Sequence, residues 1–299
     1  MIHRKADMHY SFPRYLLSKQ TVDDRALNKD VVDALRIHLP PDPVTMIEVG
    51  AGIGTMLRRL IDWDLLCTGE YVLVDAMEEN VSYAREWIPH WATEAGLKVE
   101  ALGPDQLRVS GGGHDVNIRL ECADVFEYIS RNEKPADVLI AHAFLDLLPM
   151  PESLDKVLLL TRNLAWLTMN FDGVSTILPE TNRAFDERVE CLYHASMDRR
   201  LNGGNSRTGR KLFENLRNMQ TTILAAGASD WVVHAQDGKY PADEKYFLQF
   251  VLSFFENSLK ECDELNAAAF EDWLSSRSAQ IERGELIYIA HQLDFLVRK

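Results

Sequence analysis

VTMIEVGAGIGTMLRRL, residues 44–60, is the stretch on which the fold turns. Its first seven residues are an apolar, β-branched run ending in glycine, as expected of a strand covered on both faces. From Ile53 onward apolar residues fall at helical spacing: Ile53, Met56, Leu57, Leu60 and Ile61. A buried strand, a glycine-rich turn and a helix in direct succession open an α/β unit. Gly50, Gly52 and Gly54 let the turn's backbone approach a ligand closely and aim the free amides of the helix start at it. The fingerprint GxGxxG of dinucleotide folds is not met, because Thr55 stands where its last glycine belongs. Glu48, just before the glycines, would repel a pyrophosphate but not a ligand with a cationic group.

Working outward, YVLVD (71–75) is a second buried strand, followed by a helix expected over 77–95. Asp75 at the strand's end can accept both hydroxyl protons of a ribose, or cap that helix. Segments 106–110 and 116–122 have strand character, and Gly111-Gly112-Gly113 between them predicts a hairpin. A short helix is expected over 124–131, with Asp124 as its cap or as a ligand contact. Strands at 137–141 and 164–170 bracket a helix that begins at Pro149 and Pro151 and runs to residue 163. Parallel strands need crossover helices, so this succession predicts a doubly wound, mostly parallel sheet. Helices at 179–201, 208–220, 246–262 and Ala267–Glu282 follow, with short strands at 221–224, 231–235 and 286–290. The expected organisation is a helical lid over 1–40 and an α/β domain over 41–299. Helical cap insertions at 179–220 and 241–283 would cover the sheet's carboxyl edge, where such sheets bind ligands.

Over residues 42–172 the chain resembles the class I S-adenosylmethionine-dependent methyltransferases. Their first motif reads acidic-x-Gly-x-Gly-x-Gly, and Glu48, Gly50, Gly52 and Gly54 fill its four specified positions. The resemblance implies S-adenosylmethionine as cofactor, held by the 48–54 loop with Ala51. The ribose would sit on Asp75 beside Ala76, and the adenine against Asp124 and the amide of Val125. The run Ala141-His142-Ala143-Phe144-Leu145-Asp146-Leu147-Leu148-Pro149 is similar to the small-residue stretch and Leu-His-His-Leu-Pro-like segment of many small-molecule methyltransferases. Asp146 replaces the first of those histidines, and His142 would flank the methionine part of the cofactor. The Asn-Pro-Pro-Tyr motif of enzymes that methylate nucleobase or protein nitrogens is absent. Members often use the segment before the first strand as a lid. Here it holds Tyr15, Lys19, Asp23, Asp24 and Arg25, and Arg25 is the expected partner of the cofactor carboxylate, or else part of an exposed helix start.

The candidate catalytic residues are His142, Asp146, Tyr193, His194 and His291, the histidines as general bases for a hydroxyl or thiol acceptor. The aromatic residues of the last third, among them Tyr193, Trp231, Phe247, Phe254 and Trp273, can line an acceptor pocket or simply fill a core. Cys67, Cys122, Cys191 and Cys262 lie far apart with no CxxC pair, so the expectation is buried free thiols and no metal site. The net charge of −14 argues against a nucleic-acid partner, although Arg199, Arg200, Arg207, Arg210 and Lys211 form a local basic cluster. No apolar run reaches the roughly 18 residues of a membrane span, and the amino terminus lacks a secretory apolar core. A cytoplasmic enzyme acting on a small-molecule acceptor is therefore expected, its oligomeric state left open. The alternatives are a non-catalytic cofactor-binding protein of the same fold, a nicotinamide-dependent oxidoreductase, and an aminopropyltransferase, which would carry a second aspartate near Asp146.

Overall fold

The structure is a computed structural model that describes residues 10–131, 134–199 and 203–299. Arg200 of the basic cluster lies outside the described residues, as do Leu201 and Asn202 at the end of the helix expected over 179–201. Three helices come first: α1 (Phe12–Ser18), α2 (Gln20–Ala26) and α3 (Lys29–His38). The α/β part follows as β1 (Val44–Val49), α4 (Thr55–Asp62), β2 (Thr68–Asp75), α5 (Glu78–Glu94), β3 (Lys98–Gly103), β4 (Gln106–Gly111), β5 (His114–Cys122), α6 (Val125–Arg131), β6 (Ala136–His142), α7 (Glu152–Val157) and β7 (Thr161–Leu178). The remainder comprises α8 (Arg183–Asp198), α9 (Thr208–Asn218), β8 (Thr222–Ala228), β9 (Trp231–Val233), α10 (Glu244–Leu259), α11 (Ala267–Glu282) and β10 (Ile287–Arg298).

Among the described residues one sheet of ten strands runs β3-β4-β5-β2-β1-β6-β7-β10-β8, with β9 beside β10. The five central strands from β5 to β7 are mutually parallel, and antiparallel strands extend the sheet on either side. Alternate residues of the parallel strands enter two separate cores. Met46, Leu73 and Ile140 pack with α3, α4 and α5 on one face, and Ile47, Val72 and Leu139 with α6, α7 and α9 on the other. Both faces are dry, which is why these strands read as unbroken apolar runs. Strand order reverses at β1, with β2 on one side and β6 on the other. A doubly wound sheet opens its ligand crevice at that point, outside the carboxyl ends of the strands.

Several elements differ from their sequence-based bounds. β7 continues to Leu178, well beyond residue 170, because its second half pairs with the start of β10. β10 likewise runs on to Arg298, through two register shifts. Gly173, at φ 75°, and Met169, at φ 56°, bend β7 away from the parallel sheet. The helix after Pro151 ends at Val157, and a 3-10 turn, Leu158–Leu160, hands the chain to β7. β3 (sequence KVEALG) is an exposed edge strand that buries no apolar face, and the sequence-based bounds do not include it.

The bent half of β7, β9 and the start of β10 carry a third core, made by α8, α10, α11 and by Tyr15 and Val22 of α1 and α2. At its centre Arg277, fully buried, meets Asp186 at 2.5 Å, and Trp273 Nε1 donates to the same carboxylate at 2.6 Å. α9 falls within the stretch expected as a cap, yet Leu212 and Leu216 pack on the parallel sheet. α3 falls within the stretch expected as a lid, and it too is a core helix, burying Val31 and Leu35. The thiols are free, but Cys122 and Cys191 are exposed and Cys67 and Cys262 half-buried, contrary to the expectation that all four are buried. No helix among the described residues is long and apolar enough to cross a membrane.

Candidate functional site

Between β1 and α4 the chain turns through Gly50, Gly52 and Gly54, all at positive φ. A Cβ on Gly50 would lie 2.3 Å from the Phe144 ring, and one on Gly52 2.8 Å from Leu16. Only glycine satisfies both the left-handed backbone and these close approaches. The loop is held from β2: the buried Asp75 accepts hydrogen bonds from Gly52 N at 2.8 Å, Met77 N at 2.9 Å and Asn80 Nδ2 at 3.1 Å. Asp75 is thus the clasp of the glycine loop and ties it to Met77 and Asn80 at the start of α5. Its Oδ2, with one protein donor, retains an acceptor site for a ligand hydroxyl.

A cavity of about 250 Å³ lies over the carboxyl ends of β1, β2, β5 and β6. Gly50, Gly52, Asp75, Ala76, Asp124, Val125 and His142 line it, as do Phe12, Leu16, Lys19, Met77 and Asn80. Asp124 caps α6 through Phe126 N at 2.8 Å, and Val125 is the helix's first residue, whose amide has no acceptor within the helix. A narrower extension of about 40 Å³ continues past Gly50, Ala51 and Gly52 toward Lys19, Asp23, Glu48, Arg59 and His142.

That extension is lined largely by polar groups. Lys19 Nζ is 3.2 Å from Asp23, and Arg59 Nε is 2.5 Å from Asp24. Glu48 is buried and accepts a hydrogen bond from the Tyr71 hydroxyl; burial pushes its carboxyl up to about 8. Burial, and secondarily the nearby Arg59 and Lys19, hold the His142 imidazole well below its ordinary value, so it is neutral at pH 7. The ring stands edge-on to Trp166 at 4.6 Å, and its buried Nε2 has no hydrogen-bond partner among the described residues. An unpaired buried nitrogen is costly, and a ligand in the cavity would relieve it.

Across Phe12, Leu16, Lys19, Ala143 and Leu147 the first cavity adjoins a second one of about 500 Å³. Its walls are mostly apolar and aromatic: Tyr15, Phe171, Tyr193, Met197, Trp231 and Phe254, with Asp146, Asn205 and Asn257 as polar points. Tyr193 is stacked on Phe255 at 3.9 Å, and Tyr15 on Phe250 at 4.3 Å. Phe247, Phe255 and Trp273, also candidates for a pocket wall, are core residues.

Four expected site residues lie elsewhere, the first being Gly54, which lines none of these cavities and faces Leu73 and Ile88. Arg25 donates to both oxygens of the buried Glu244, at 2.7 and 2.9 Å, so it ties α2 to α10 and does not face the crevice. His291 is hydrogen-bonded to Asp230 at 2.8 Å, outside both cavities, because the register shift after Ala290 turns it away. His194 meets Ser175 at 2.7 Å behind the aromatic wall and lines neither cavity. Lys19 and Arg59, and not Arg25, line the narrow extension. Lys19 lies one helical turn before Asp23, and no local signal distinguishes it from an exposed lysine. In the basic cluster Arg199 pairs with Glu264 and Arg210 with Asp172, so two of its charges are locally balanced.

No protein-family model matches the chain, and none of the curated proteins does. Among solved structures it is similar to a cyclopropane synthase from Mycobacterium tuberculosis (11% identity, 98% of this chain and 100% of that one, TM-score 0.44). It is also similar to an S-adenosylmethionine-dependent methyltransferase from Thiobacillus denitrificans in complex with S-adenosylhomocysteine (12%, 94% and 97%, TM-score 0.44). A third is the cyclase SpnF (14%, 99% and 85%, TM-score 0.40). Likeness this distant transfers no activity, and the reactions named for these proteins differ among themselves.

Proposed function

We propose that the chain is an S-adenosylmethionine-dependent methyltransferase acting on a small, largely apolar acceptor. The observation that carries the reading is the junction of the two cavities: a glycine-walled one edged by Asp75 and Asp124 and an aromatic one share Phe12, Leu16, Lys19, Ala143 and Leu147. The residue types fit the cofactor part by part. Asp75 would take a ribose hydroxyl, and Asp124 and the Val125 amide the adenine edge, with Ala76 and Met77 beside it. Lys19 and Arg59 would meet the methionine carboxylate, and Glu48 and Asp23 the methionine amine. His142 would offer its unpaired Nε2 at the same end.

When bound, the cofactor supplies an electrophilic methyl group. The protein's task is to aim the acceptor's nucleophile, exclude water and receive a proton where one is lost. Phe12 and Leu16 of α1 wall both cavities, so this helix serves as the lid and dehydrates the junction. Tyr193, Phe171, Trp231 and Phe254 would hold the acceptor flat by apolar contact. His142, neutral and hard to protonate, is suited to positioning and not to accepting a proton. Asp146, at the acceptor side of the junction, is the better candidate base.

Calorimetric titration of S-adenosylhomocysteine tests the cofactor site, and mass spectrometry of a panel of aromatic and aliphatic alcohols, thiols and amines incubated with S-adenosylmethionine tests turnover. Saturable binding with methyl transfer to one acceptor class is expected. Binding with no turnover across the panel would favour a non-catalytic cofactor-binding protein, and no binding at all would sink the reading.

A further inference from the structure

At the opposite end of the sheet, Asp64, Cys67 and His114 bring a carboxylate oxygen, a sulfur and an imidazole nitrogen within 4.8 Å of one another. None of the three lines the cavities described above. Asp64 and Cys67 lie in the turn from α4 to β2, where Asp64 adopts φ 51° and the buried Leu65 and Leu66 hold the backbone. His114 begins β5, just past the Gly112-Gly113 reversal, and Asp115 N donates to the Cys67 carbonyl at 2.7 Å. Two elements far apart in sequence are thereby brought side by side at the amino ends of β2 and β5.

The histidine's orientation is informative. Its Nδ1 is 3.2 Å from the Leu66 carbonyl oxygen, which can only accept, so Nδ1 carries the proton and donates. In the neutral ring Nε2 is then a bare lone pair, and it faces Asp64 Oδ1 at 3.5 Å with the side chain nearly enclosed. Two acceptors facing each other repel unless a proton or a metal cation lies between them. An imidazole whose far N–H is fixed by a backbone carbonyl is the arrangement usual for a metal-bound histidine. Tetrahedral zinc, with bonds of about 2.0–2.3 Å, spaces its ligand atoms roughly 3.3–3.7 Å apart, close to the distance seen here.

We propose that Asp64, Cys67 and His114 form a binding site for a zinc-like divalent cation, with water as the fourth ligand. One aspartate, one thiolate and one neutral histidine suit a borderline-soft metal better than magnesium or calcium, which prefer oxygen donors. The metal would clip the α4–β2 turn to the β4–β5 hairpin and stabilise the fold, since the unfolded chain offers no such site. The site's residues are too dispersed for a spacing motif to reveal them.

The test is to strip the full-length protein with a chelator and titrate it with cobalt(II) as a spectroscopic probe. One equivalent should bind with a thiolate-to-cobalt charge-transfer band, zinc should displace it, and zinc should raise the melting temperature. Cys67→Ser should abolish the band, and His114→Ala should weaken binding about tenfold or more. Far-ultraviolet circular dichroism checks that both variants are folded. The proposal fails if the wild type shows no saturable uptake, as an imidazolium–carboxylate ion pair between His114 and Asp64 would predict. It fails equally if the folded variants bind cobalt as the wild type does.

Discussion

Asp75 concentrates the problem of reading function from single residues. As a helix cap or as a ribose ligand it would be the same carboxylate at the same strand end; the structure shows three protein donors, with capacity left on Oδ2. Asp75→Ala should weaken S-adenosylhomocysteine binding about 10- to 100-fold, the range of a hydrogen bond to a charged group, as measured by calorimetry. Glu48 carries a separate prediction. Its carboxyl titrates near 8 in the folded protein against 4.5 when unfolded, so the folded state holds the proton more tightly. The stability this contributes is fully present below pH 4.5 and is lost as pH rises through 8. In that window the wild type should lose up to about 1.4 kcal/mol per pH unit more than Glu48→Gln, by urea titrations at stepped pH. His142 bears on activity: with its protonation pushed well below 6.5, methyl transfer should show no titration near 6.5 that His142→Asn removes.

At the scale of elements, helices α1 and α2 are fastened to α10 by Arg14–Asp243, Arg25–Glu244 and a hydrogen bond from Ser11 N to the Tyr246 hydroxyl at 2.8 Å. Arg25→Ala leaves Glu244 buried with only Thr21, among the described residues, to hydrogen-bond its side chain, and should cost about 1–3 kcal/mol of unfolding free energy in urea. Its affinity for S-adenosylhomocysteine should stay within about threefold of wild type, a change under 1 kcal/mol. That outcome separates a fastening role from the ligand role expected of Arg25. Legibility varied for plain reasons. α11 was readable to its bounds, Ala267–Glu282, because the apolar stripe lies within the helix itself. The strands expected at 164–170 and 286–290 fall short of the β7–β10 ladder because polar residues, Asp172 in one and His291-Gln292 in the other, interrupt the local apolar pattern, and only pairing with a distant strand carries the backbone past them.

Across the whole molecule, the parallel sheet and the helical core behind the bent half of β7 meet at the crevice, and the second cavity exists only because they do. Phe254 comes from α10 and Trp231 from β9, while Asp146 follows β6. Phe254→Ala should leave cofactor affinity unchanged and raise the KM of the acceptor about tenfold, the cost of one lost aromatic contact. A steady-state comparison with the acceptor found in the panel would check it. The net charge of −14 disfavours a partner with a phosphate backbone.

The sequence by itself determined the doubly wound sheet, the glycine loop and the acids at its strand ends. Each of these is written in neighbouring residues, through unbroken apolar runs, helical spacing and the need for glycine at positive φ. Tertiary structure alone decided that Lys19 and Arg59, and not Arg25, face the crevice, and that His291 and His194 stand apart from it. It alone brought Asp64 and Cys67 to His114. Those outcomes depend on strand register and helix docking across tens to hundreds of residues, where packing of whole surfaces, and no local preference, chooses which side chains meet.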